Sequence, residues 1–221
     1  SAGLAAIDAA LDMPEVAPEN SLLSALVAVQ PQFPDVADYR LQARSVLFEL
    51  TGALVLIVGK VLSEIAGFSA SERGRVAGIP WPALVQRLRD PALDAQMRDA
   101  TIAEMLRLAD TSQLVRRVRH DCTWRGEQLK VGDRIVALVG AAAHDEAAFP
   151  QASRFAPDPA RPYITSGPLQ GPHVCYGRGI AWTIIAEAIA ATAGRIEPAG
   201  NASLGTFLGL PDDLHFTAIR Q

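Results

Sequence analysis

The chain of 221 residues has only two cysteines, Cys122 and Cys175, three tryptophans and 6% aromatic residues overall. Two cysteines exclude a disulfide framework and leave room for one bridge, one metal site or one special thiol. There is no block of like charge: 20 basic residues against 24 acidic give a formal charge of −4. A pI near 5.6 supplies no overall field for a polyanion, which argues against nucleic-acid binding. No apolar run is long enough for the roughly 20 residues a membrane span needs; the richest, 50–59, is bounded by Glu49 and Lys60. The start, Ser1-Ala2-Gly3, shows no secretory pattern, so the expected location is cytoplasmic. No glycine fingerprint of the G-x-G-x-x-G kind is present to hold a flavin or a nicotinamide nucleotide.

What is present is apolar bulk, 49% of residues, enough for a buried core. Residues 1–37 are rich in Pro and Ala, with one short helix expected over 21–29. Apolar spacing predicts a long helix over 39–67, stopped at Gly67, and amphipathic helices over 81–89 and 92–108 divided at Asp90-Pro91. From 114 to 139 apolar and polar residues alternate around turns at Arg125-Gly126 and Gly132-Asp133, which predicts a strand meander. Residues 144–171 have little periodicity, and so long an irregular stretch within a compact unit points either to function or to a wrong element assignment. A last helix is expected after Cys175, running to about Ala193, then short strands. The organisation expected is an N-terminal segment, 1–37, followed by a mainly α core with small β-sheets, 38–221.

The stretch "GPHVCYGRGIA" (171–181) sets Cys175 between glycines just before that last helix. A thiol there lies in the positive end of the helix dipole, which favours thiolate, the form that ligates metal. Gly171 and Gly177 let the backbone turn tightly and approach a bulky group, and His173 can donate to an anion. An inert packed thiol is the competing reading. A zinc site from His120, Cys122, His173 and Cys175 is disfavoured, because neither pair has the usual gap between ligands.

Taken in order with other pieces, these residues resemble the cytochrome P-450 family of haem-thiolate enzymes, over 39 to the C-terminus and matching its C-terminal half only. "EMLR" matches that family's Glu-x-x-Arg, giving Glu104 and Arg107; "FPQASRF" (149–155) matches its meander motif, giving Arg154 as third member of a Glu-Arg-Arg cluster. The resemblance implies haem b as cofactor, with Cys175 as axial iron ligand and Arg117 and His173 on the propionates. Both residue types suit a carboxylate: Arg as a bidentate fork, His through one N–H. It also implies a monooxygenase-type oxidoreductase acting on a small apolar substrate or lipid, with an external electron-transfer partner.

The chain departs from the pattern in three places. Pro168 stands where the family carries an aromatic residue seven before the cysteine. In "FELTGALV" (48–55), Glu49 and Thr51 are separated by Leu50, and residues two apart do not share a helix face. They are weak candidates for the family's acid–alcohol pair. The family's N-terminal helices and first sheet have no counterpart before Tyr39 other than the 1–37 segment. A mean hydropathy of +0.16 accords with an exposed apolar face, covered by a second copy in a homo-oligomer. Two other functions follow: a haem-thiolate enzyme using peroxide or a hydroperoxide, which the "GPH" form of the loop also resembles, or a truncated scaffold that binds no haem.

Overall fold

The computed structural model describes residues 2–33, 35–109, 113–161, 163, 175, 177–198 and 216–218. The chain divides into two compact units, Ser1–Ile57 and Val58–Gln221, with the boundary inside one long helix.

In the first unit α1 (Ala2–Asp12) and α2 (Leu22–Val29) accompany the early turns of α3 (Val36–Ala70). Ser21 caps α2 reciprocally with Ser24, each hydroxyl accepting from the other's backbone N–H at 3.1 and 3.0 Å, which satisfies two otherwise orphaned donors. Ile7 and Leu11 bury against Tyr39 and Ala43, while Asp8 pairs with Arg44 and Asp12 with Arg40. These apolar and ionic contacts bind 36–44 to the N-terminal helices. That is why the compact unit runs past residue 37.

In the second unit α3 ends against α4 (Glu72–Ala77) with only Ser71 between them. The Ser71 N–H and hydroxyl both donate to the Phe68 carbonyl, at 3.0 and 2.6 Å, and Ser71 Oγ accepts from the Gly74 N–H at 3.4 Å. So sharp a reversal leaves no room at Gly74: a Cβ there would lie 2.5 Å from Phe68 O and 2.7 Å from Ser69 Cα. Gly78, at φ 87°, ends α4 in the left-handed conformation that glycine adopts without strain. Then come α5 (Trp81–Leu88) and α6 (Ala95–Ala109), the latter capped by the Asp94 carboxylate, which accepts from the Met97 N–H at 2.8 Å.

The strand meander is present as two ribbons. Strands β1 (Gln113–Arg117) and β4 (Arg134–Leu138) pair antiparallel, Val115 opposite Val136 and Arg117 opposite Arg134; β2 (Cys122–Trp124) and β3 (Glu127–Leu129) form the hairpin between them. Arg125 and Gly126, at φ 51° and 89°, make the two-residue turn whose handedness suits strand twist. The Asp121 carboxylate accepts from the Val131 N–H at 2.9 Å and from Lys130 Nζ at 3.0 Å; these bonds, the backbone one foremost, hold it below the usual carboxylate range. A short α7 (Val139–Ala142) follows, then turns and irregular backbone to 161, α8 (Arg178–Ala191), and a last pairing of β5 (Ile196–Pro198) with β6 (Phe216–Ala218).

The core of this unit is Ile65 of α3, Leu84 of α5, Ile102, Met105 and Leu108 of α6, and Ile185 and Ile189 of α8. The architecture is mainly helical with small antiparallel sheets, as expected. Helices α1 and α4 were not expected, α3 is longer at both ends, and α8 begins three residues after Cys175. No described helix is long and apolar enough to cross a membrane.

Replacing Gly74 by Ala forces backbone, not a flexible side chain, to yield. A loss of about 1–3 kcal/mol is expected, read as a lower urea midpoint at unchanged m-value, with Gly52→Ala, where nothing lies within 4 Å, as the tolerant control.

Candidate functional site

Helix α6 is buried along most of its length from Ala100 to Ala109, so its polar residues must find partners inside. Glu104 and Arg107, one turn apart, are 0% and 2% exposed. They form a bidentate pair, Arg107 Nε to Glu104 Oε2 and Nη2 to Oε1, both at 2.8 Å. Nη1 donates to the carbonyls of Ala143 and Ala152 at 2.8 and 2.7 Å, and Nη2 also to that of Arg154 at 3.3 Å. These five hydrogen bonds account for the five N–H donors of a guanidinium. Glu104 Oε1 further accepts from the Ala156 N–H at 3.1 Å, and Arg161 Nη1 lies 3.6 Å from Oε2. Phe149 covers the cluster, its ring 5.0 Å from the Arg107 guanidinium carbon.

Arg154, expected as the third member, contributes its backbone carbonyl, and its side chain is exposed. The arginine beside Glu104 is Arg161, which also donates to the Ala156 carbonyl at 3.1 Å. Identity within the motif marked Arg154, but proximity depends on the path of 155–161. A readable signal was the turn sequence Asp158-Pro159: Asp158 Oδ1 accepts from Ala160 N–H, and the Arg161 N–H bonds to the Asp158 carbonyl. Tyr163 closes the stretch, its hydroxyl accepting from the Asp158 N–H at 2.9 Å. Burial pushes its phenol pKa up, against the opposing pull of that N–H.

A second tie was not foreseen. Arg87 of α5 donates from Nε to Thr101 Oγ1 at 2.9 Å and lies 5.6 Å from the Phe155 ring. The Phe155 N–H in turn donates to the Ala77 carbonyl at 2.9 Å. The irregular stretch is thus held from α4, α5 and α6 together.

Cys175 is exposed and carries a free thiol. Its carbonyl accepts from the Arg178 N–H at 3.3 Å, so its backbone joins the first turn of α8. Gly177 is the N-cap of that helix. Arg117 is exposed on β1, directly opposite Arg134, and neither has an acidic partner among the described residues. Gly171 and His173 lie outside the described residues. Glu49 and Thr51 fall within α3, two positions apart, with their side chains outside the description. Among the described residues no three His, Cys, Asp or Glu side chains converge as metal ligands. A cleft of about 750 Å³, lined by Trp81, Arg87, Asp90, Thr192 and Glu197 among others, contains none of the expected site residues.

The architecture is mainly α with small antiparallel ribbons, and Glu104, Arg107 and Arg161 lie together in a knot where α6 meets the irregular stretch. Residues 94–190 match the family model described as Cytochrome P450. No curated protein sequence matches the chain. Among solved structures it is similar to P450 RauA (CYP1050A1), complexed with a biosynthetic intermediate of aurachin RE, at 21% identity and TM-score 0.59, over 99% of this chain and 52% of that one. It is similar to cytochrome P450 CREJ at 21% identity and TM-score 0.56, over 88% and 46%. CYP164A2 of Mycobacterium smegmatis, in its ligand-free state, matches at 22% identity and TM-score 0.51, over 97% and 54%. At these identities the structures establish fold. The chain resembles the cytochrome P450 family and has the fold of part of a cytochrome P450, spanning about half the length of the structures it matches.

Cutting one partner from a buried pair leaves the other uncompensated, so Glu104→Ala or Arg107→Ala should cost about 3–5 kcal/mol. Arg154→Ala, which keeps the carbonyl, should stay within about 0.5 kcal/mol, as surface changes do. Chemical denaturation of the three variants measures this; equal losses at 107 and 154 would contradict the assignment.

Proposed function

We propose that this chain is the haem-thiolate portion of a cytochrome P450-type oxidoreductase. The observation that carries the proposal is the buried Glu104–Arg107 pair, with every guanidinium donor used, inside the segment that matches the family. With its five N–H groups so used, Arg107 has no donor left for a substrate. Its role is to position the irregular stretch that leads on toward Cys175.

The described residues suit haem. Cys175 has a thiol in no disulfide and open to solvent, available as axial ligand. Gly177, whose absent Cβ would meet nothing within 4 Å, leaves the approach clear. Arg117 stands opposite Arg134 on one face of the β1–β4 ribbon; like charges directly opposite destabilise a strand pair, and a carboxylate between them removes that cost. Arg117 and, by resemblance, His173 would hold the propionates of haem b. Gly171 and Gly177 flank the ligand. Haem supplies one-electron and oxygen chemistry, and a thiolate ligand pushes electron density toward its iron.

A monooxygenase-type reaction on a small apolar substrate or lipid, with electrons from an external partner, is the first reading. A peroxide- or hydroperoxide-using enzyme is the second, favoured by the placement of Glu49 and Thr51 two apart within α3: positions so spaced do not share a face and cannot form one proton relay. The third reading, a scaffold without haem, is separated from both by the spectrum. A cytoplasmic location accords with these readings.

Reconstitution with haem b, reduction and exposure to carbon monoxide should give the red-shifted Soret band of a thiolate-ligated iron. Cys175→Ser should abolish it. A chain that takes up no haem sinks the proposal, and a band unchanged by Cys175→Ser sinks the assignment of the ligand.

A further inference from the structure

We infer that the outer edge of β4 is a self-recognition surface, on which a second copy of this chain adds its own β4 antiparallel to form a continuous four-stranded sheet. The inference is independent of haem binding. It starts from backbone hydrogen bonds. The Val118 N–H donates to the Asp133 carbonyl at 2.9 Å, and its carbonyl accepts from the Gly132 N–H at 3.0 Å, so Val118 faces the partner strand. Antiparallel strands alternate inward and outward backbone groups. Arg116 and Leu114 therefore also face inward, as do their register partners Ile135 and Ala137. The N–H and C=O groups of Arg134, Val136 and Leu138 point away from β1.

The two outer edges of the ribbon differ in charge. On β1 the strand ends in Arg116 and Arg117, and pairing it with its own copy would gather four guanidinium groups within five residues. Edge charges of this kind are how sheets discourage pairing with other chains. Strand β4 has one charge, Arg134, then Ile135, Val136, Ala137 and Leu138. All five β4 residues are exposed, Val136 to 47% and Leu138 to 53%. It contains no proline, glycine or lysine to blunt it.

The β4 edge is complementary to itself. With the two-fold axis at Val136, Val136 faces Val136 of the second copy, Ile135 faces Ala137, and Arg134 faces Leu138, so no like charges oppose. The outward groups of 134, 136 and 138 then form the hydrogen-bonded pairs. Because Val115 lies opposite Val136, one face acquires a row of four valines across four strands. An isolated two-stranded ribbon is marginal in water, and a four-stranded sheet with an apolar face is not. An isologous contact of this kind closes at the dimer.

At the axis the two Val136 Cα atoms would sit about 5.5 Å apart, within disulfide range. In a Cys122→Ser, Cys175→Ser background, Val136→Cys should therefore give a disulfide-linked dimer on mild oxidation, seen on a non-reducing gel, while Ile135→Cys should not. In the otherwise native chain, Val136→Lys places two like charges at the axis and should weaken dimerisation by about tenfold or more, about 1.4 kcal/mol, measured by sedimentation velocity with circular dichroism confirming the fold. A chain that stays monomeric, a dimer indifferent to Val136→Lys, or equal cross-linking at 135 and 136 would each overturn the inference. The last two outcomes would mean that another surface associates. Failure of haem reconstitution bears on none of these readouts.

Discussion

The second unit depends on one guanidinium. Arg107 enters the interior on the buried stretch of α6, and an unpaired charge there would cost several kcal/mol. The structure meets that cost by surrounding it: a carboxylate on its own helix neutralises it, and three carbonyls from 143, 152 and 154 take the remaining donors. Those carbonyls belong to backbone with almost no regular structure, which has few other bonds to fix its path. The charge and the irregular chain thus need each other, and aromatic Phe149 keeps water from both.

This dependence explains how an apparently structureless stretch can be part of a core. Residues 143–161 make turns, Asx bonds and a few caps among themselves, each of modest strength. Their common attachment is to α6 through Arg107 and Glu104, to α4 through Phe155 N–H, and to α5 through the Arg87 stack. The stretch is tied once more at Tyr163, whose hydroxyl accepts from the Asp158 N–H. The chemistry proposed for Cys175 requires a thiol placed by its surroundings, and on the N-terminal side of that loop the knot is the fixed point.

Much of this was legible in the residues, and the failures have identifiable physics. Glu104 and Arg107 were readable through the resemblance of "EMLR" to the family motif; helical spacing sets residues three apart side by side, but it does not distinguish this buried pair from a solvated one. The hairpin at Arg125-Gly126 was readable because turn chemistry is local. Arg161 was not, since its approach to Glu104 depends on where an aperiodic chain goes, and the sequence offered a nearer arginine whose contribution is a carbonyl that any residue possesses. Helix α1 escaped for a related reason: its alanines are ambiguous alone, and the ion pairs Asp8–Arg44 and Asp12–Arg40 that hold it bridge distant positions. Overall composition likewise concealed how unevenly charge is spread, with Arg116, Arg117 and Arg134 on one ribbon of a net acidic chain.

The knot also has a temporal side. Its centre is local, since Glu104 and Arg107 are three residues apart, and the pair can form as soon as α6 winds. Its completion is not, because the acceptors lie 36, 45 and 47 residues further along. Contacts of that separation wait on loop closure and form slowly compared with a helix. Between the two events α6 presents a half-satisfied ion pair to water, which tolerates it, rather than to protein, which would not. Burial of that helix is therefore tied to arrival of the meander, and the two should appear in a single kinetic phase.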